Sequence, residues 1–85
     1  MVMQLARYVK FREEKFGGVL FETRSEKVFT LNPTATAVVR EIQAGADENA
    51  IVDRLQDRFD DRSGAIARDV AALIAELRQR GLVEG

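Results

Sequence analysis

The apolar residues of this chain change their period once, at Asn32-Pro33, and nothing else in the sequence restricts the fold as much. Upstream the pattern is alternation. Tyr8-Val9-Lys10-Phe11-Arg12 puts Val9 and Phe11 on one face of a first predicted strand. Glu13-Glu14-Lys15 reads as a charged turn, followed by Phe16 and a backbone bend at Gly17-Gly18. Val19-Leu20-Phe21-Glu22-Thr23 is a second strand. Three consecutive apolar residues there predict one face in the core and the other only partly wet. Arg24-Ser25-Glu26 makes a hairpin connection to a third strand, Lys27-Val28-Phe29-Thr30-Leu31, in which Phe29 and Leu31 point the same way.

Downstream, apolar residues recur every three or four positions. Asn32 supplies an N-cap oxygen for an unpaired backbone N–H, and Pro33 suits the first helical position because its missing N–H is not needed there. The first helix carries Ala37, Val38, Val39 and Ile42 and stops at Gly45. Asp47 caps a second, strongly charged helix with a narrow stripe of Ile51, Leu55 and Phe59. Asp60-Asp61-Arg62-Ser63 is a break. A longer third helix carries Ile66, Val70, Leu73, Ile74 and Leu77 and ends at Gly81, after which Leu82-Val83 can fold back over its end. Three strands and then three helices in a short chain predict an α+β fold, a three-stranded antiparallel sheet packed on one face by the helices. The outline is that of a winged helix-turn-helix, and residues 1–85 read as a single domain.

Composition excludes most chemistry. At 85 residues, folding hides only ~60–65% of the surface of the unfolded chain, which leaves a thin core. There is no Cys and no His, so disulfides, thiolate ligands and imidazole acid–base catalysis are absent. No apolar run reaches membrane-spanning length and no signal-peptide pattern opens the chain, so a cytoplasmic protein away from membranes is expected. The 13 basic and 14 acidic residues nearly cancel. Residues 7–27 carry six basic and four acidic side chains, whereas residues 47–62 carry three and six. Such offsets fall short of a counterion-displacing nucleic-acid surface but suffice to orient a charged peptide.

The remaining catalytic candidates fail individually. Ser25 and Ser63 have no imidazole base. Asp60-Asp61 and Glu13-Glu14 read as solvated turns, and Gly17-Gly18 lacks the Lys-Ser/Thr context of a phosphate loop. A DNA-reading third helix would need donors on its outer face, yet Arg68, Ala72, Glu76 and Gln79 form a nearly neutral one. No enzyme activity, cofactor or metal is expected.

Two features point to peptide binding instead. Ala67, Ala71 and Ala75 recur every fourth residue beside the core stripe of the third helix, and Arg78 continues the row. Small residues admit a second backbone and Arg78 offers a carboxylate partner, although alanines at a core margin also serve simply as good helix formers. A three-stranded sheet also has two edges with unpaired backbone groups, either of which can accept an added strand. With the third strand at an edge beside the third helix, Lys27, Val28, Phe29, Thr30 and Leu31 face the alanine row across one groove.

The ordered segments resemble the PqqD-like peptide chaperones, the recognition elements of ribosomal-peptide modification systems. They are Val9-Lys10-Phe11-Arg12, Gly18-Val19-Leu20-Phe21-Glu22 and Val28-Phe29-Thr30-Leu31-Asn32 with Thr34, Ala35 and Ala37-Val38-Val39. Ile51-Val52-Asp53-Arg54-Leu55, Asp69-Val70, Leu73-Ile74-Ala75-Glu76-Leu77 and Arg80-Gly81-Leu82-Val83 follow. Phe16-Gly17-Gly18-Val19-Leu20-Phe21 is similar to the mycofactocin-chaperone branch, and lasso-peptide recognition elements share much of the pattern. The resemblance implies a non-catalytic accessory protein. It implies that the leader segment of a precursor peptide adds antiparallel to the third strand and packs on the third helix. The site would then be Lys27, Val28, Phe29, Thr30, Leu31, Ala67, Ala71, Ala75 and Arg78. It implies a modifying-enzyme partner, often a radical S-adenosylmethionine protein that brings its own cofactors. A winged-helix DNA-binding regulator or adaptor, and a dimerisation module that pairs through the same edge, are the competing readings.

Overall fold

Alternation before Asn32-Pro33 and helical spacing after it produce the expected order of elements, with a short strand added at each end. The computed structural model describes residues 3–60 and 63–85. The elements are β1 (Gln4–Leu5), β2 (Val9–Glu14), β3 (Gly17–Glu22), β4 (Lys27–Leu31), α1 (Pro33–Gln43), α2 (Glu48–Phe59), α3 (Ala65–Gln79) and β5 (Val83–Glu84). β2, β3 and β4 form an antiparallel sheet in that order, and β1 pairs antiparallel with β5.

The expected turn at Glu13-Glu14-Lys15 is shorter than its charge suggests. Glu13 and Glu14 remain in β2, Lys15 and Phe16 alone make the turn, and Gly17 and Gly18 are already in β3. The glycines therefore do more than bend the chain. A Cβ on Gly17 (φ +155°) would lie 2.2 Å from the Leu31 carbonyl oxygen. One on Gly18 would lie 2.9 Å from Thr36 Oγ1. Their absence lets the start of β3 press against the end of β4 and the first turn of α1.

The helix signals hold at their caps. The Asn32 side chain accepts from Ala35 N at 2.7 Å and the Asp47 side chain from Ala50 N at 2.9 Å. Asp60 ends α2 in the left-handed conformation (φ 50°). The neighbouring Asp61 and Arg62 lie outside the described residues. α1 lies on β3, and α2 and α3 pack together beside it. Leu20, Val38, Val39, Ile42, Ile51, Leu55, Val70 and Ile74 fill one core between sheet and helices. Phe59, expected in the α2 stripe, is instead 50% exposed in the last turn of that helix, below the buried Ile51 and Leu55.

Leu82-Val83 does fold back, and Val83 opens the short strand β5. Leu82 and Val83 are buried, Ala6 N donates to Leu82 O at 2.9 Å, and Tyr8 Oη donates to Gly81 O at 2.7 Å. β1 and β5 leave no signature in the sequence, since two residues carry no readable period.

Candidate functional site

β4 ends the three-stranded sheet, and its register shows which backbone groups are free. Thr23 N donates to Tyr8 O at 2.8 Å, one step beyond the Val9–Glu22 pair. Hydrogen-bonded and non-bonded pairs alternate along an antiparallel ladder. Gly17, Val19 and Phe21 therefore turn their main chain to β2, and Gly18, Leu20 and Glu22 turn theirs to β4. Their partners are Leu31, Phe29 and Lys27. Val28 and Thr30 are left with N–H and C=O groups facing outward, and no described strand pairs with that edge.

A groove runs between this edge and α3. Its wider part, about 450 Å³, is lined by Val28, Phe29, Thr30 and Leu31 on one side, and by Leu73, Glu76, Leu77 and Arg80 on the other. Leu82 contributes to its floor. A narrower part of about 220 Å³ continues past Asn32, Thr34 and Ala35 to Asp69 and Val70. The floor is apolar and the rim carries charge. Arg80 pairs with Glu76 at 3.1 Å, and its guanidinium lies 5.3 Å from the centre of the Phe29 ring.

β4 carries the strand half of the expected site. Four of its residues line the groove, while Lys27 is exposed at the start of β4 outside the lining. The helix half requires a correction. Ala67, Ala71, Ala75 and Arg78 are not on the groove wall. At 100° per residue they flank the core stripe of α3 on one side, and Asp69, Leu73, Glu76 and Arg80 flank it on the other. The second flank faces β4. Ala71 and Ala75 are exposed, and Arg78 donates to the Gly85 carbonyl oxygen at 2.9 Å, beside Met3. Leu73, expected in the core, is half-buried and forms part of the wall. Both flanks are visible in the sequence, and the one that docks toward the sheet differs in carrying a large apolar residue, Leu73, which by itself fits a core position as well as a groove wall.

Other surfaces offer less. The far face of the sheet shows Val19, Phe21 and Val28 with Lys10 and Arg12, and Phe16 at the hairpin tip is 80% exposed. The outward residues Arg68, Ala72 and Gln79 of α3 are exposed and, with Glu76 bound to Arg80, leave that surface nearly neutral. Among the described residues no cluster of three or more His, Cys, Asp or Glu is placed to hold a metal, and no helix is long and apolar enough to cross a membrane.

The family model described as Coenzyme PQQ synthesis protein D (PqqD) matches residues 17–83. That span runs from the first residue of β3 to the first of β5. Among solved structures the chain is similar to a lasso peptide synthetase B1 complexed with the leader peptide. The identity is 24%, with 100% of each chain covered and a TM-score of 0.87. It is also similar to TbiB1 in complex with the TbiA(beta) leader peptide. There the identity is 18%, with 96% of this chain and 95% of that one covered and a TM-score of 0.88. At these identities the two structures establish the shared fold. No curated protein matches the sequence.

Proposed function

This chain belongs to the PqqD family, and on that premise we propose that it binds the leader segment of a ribosomally made precursor peptide and delivers it to a modifying enzyme. The leader adds as a strand to β4 and lays alternate side chains into the groove beside α3. The observation that carries this reading is the open edge at Val28 and Thr30 next to an apolar wall of Leu73 and Leu77. Two proteins of the same fold are known in complex with leader peptides, which supports it further. Residues 1–85 act as one recognition domain without catalytic groups of their own. Tethering raises the concentration of the precursor core at the enzyme. For that enzyme, membership of the PqqD family favours the radical S-adenosylmethionine class, with the cofactors on the enzyme, and the encounter takes place in the cytoplasm.

The test is titration of the labelled chain with the leader of a precursor encoded beside it, following backbone amides. Val28, Thr30 and the Leu73–Leu77 stretch of α3 are expected to shift. Binding that leaves them silent would place the site elsewhere. Thr30→Pro removes an outward N–H while sparing the bonds to β3, and an edge strand tolerates it. It should weaken binding about tenfold, with loss of one main-chain hydrogen bond and a clash with the guest. Leu73→Trp should weaken binding by filling the groove, whereas Ala71→Trp, on the other flank, should leave the affinity unchanged.

A further inference from the structure

The groove has unlike ends. At the Phe29 end of β4 stands Arg80, partly neutralised by Glu76, together with exposed Lys27. At the Asn32 end stands Asp69, which enters none of the ion pairs among the described residues. Leu73 and Leu77 lie between them. α3 therefore runs antiparallel to β4. From Asp69 to Arg80 the helix advances about 16 Å at 1.5 Å per residue, the length of about five extended residues.

In a strand added to β4, alternate side chains face α3. Antiparallel addition is the more stable pairing per residue. It sets the earlier residues of the guest beside Asp69 and the later ones beside Arg80 and Lys27. We infer that the groove selects an extended segment reading cation, any, apolar, any, anion from N- to C-terminus, so that it recognises chain direction as well as apolarity. The inference rests on the peptide-binding reading above and adds to it the class of segment bound. Reversed charge order would bring like charges together at both ends at once. Each exposed contact is weak, but the two change sign together.

Two capped synthetic peptides of identical composition test this, one reading Thr-Lys-Thr-Leu-Thr-Glu-Thr and the other with Lys and Glu exchanged. At low salt the first is expected to bind about fivefold more tightly, as measured by the amide shifts of Val28 and Thr30. The difference should fade at about 0.5 M salt. In an Asp69→Lys/Arg80→Glu chain the ranking should invert. The comparison on the natural chain stands whether or not that variant folds. Equal affinity for the two peptides, with β4 amides shifting, would overturn the charge-order inference and leave strand addition intact. If neither peptide moves the β4 amides, both readings fall.

Discussion

Gly17 and Gly18 show how single residues place the open edge. Any side chain on Gly17 would meet the Leu31 carbonyl oxygen, which belongs to the backbone and cannot turn away. Gly17→Ala is expected to destabilise the fold by about 2–3 kcal/mol and to perturb the amides at the Leu31 end of β4 first; urea unfolding with amide mapping checks both. Glu13 works differently. Its carboxylate accepts from Arg40 Nε at 2.5 Å and joins β2 to α1. The Arg40 hydrogen bond, reinforced by the Arg40 charge and opposed by desolvation, holds the Glu13 pKa below its ordinary value of 4.5. A folded pKa below the unfolded one means that the pair stabilises above the ordinary carboxylate range. That contribution is lost as the pH falls through the lowered value. Both groups are exposed, so the effect is small. The melting temperature of the natural chain should fall more steeply on acidification than that of Glu13→Gln, and the two should converge in strong acid.

At the scale of elements, the edge strand and the helix that follows it depend on one another. Asn32 both ends β4 and caps α1. Its side chain accepts from Ala35 N, and its carbonyl accepts from Thr36 N and Thr36 Oγ1, each at 2.9 Å. Asn32→Ala removes the side-chain cap and should cost about 1 kcal/mol, measured by chemical denaturation with an unchanged m-value. Asn32 and Ala35 also line the groove, so fraying of the first turn of α1 should weaken leader binding as well. α3 has no side-chain cap at Gly64 and is held by Val70, Ile74 and Leu77 in the core. Its position, and with it the wall of the groove, comes from packing and not from local signals.

For the molecule as a whole, the two ends of the chain close on one another. β1 pairs with β5, Ala6 N donates to Leu82 O, and Tyr8 Oη reaches the Gly81 carbonyl across 73 positions of sequence. This closure seats Leu82 under the groove and places Arg80 above Phe29. Tyr8→Phe should lower global stability by about 1 kcal/mol, read as a shifted urea midpoint. It should also loosen the Arg80 end of the groove more than the Asp69 end, seen in faster amide exchange around Gly81.

Local chemistry in the sequence was enough for much of this. The change of period at Asn32-Pro33, the caps at Asn32 and Asp47, and the alternation in Lys27–Leu31 set the three longer strands, the first two helices and their order, though neither β1 nor β5. Each of these acts within one turn or one strand, so neighbouring residues suffice to determine them. The tertiary structure alone decided which flank of α3 faces β4. Both flanks border the same core stripe, and burying Val70, Ile74 and Leu77 is compatible with either. The choice follows from how α3 leans on α2 and on the closed chain ends, contacts between residues far apart in sequence. For that reason the alanine row, plain in the sequence, turned out to lie on the side away from the groove.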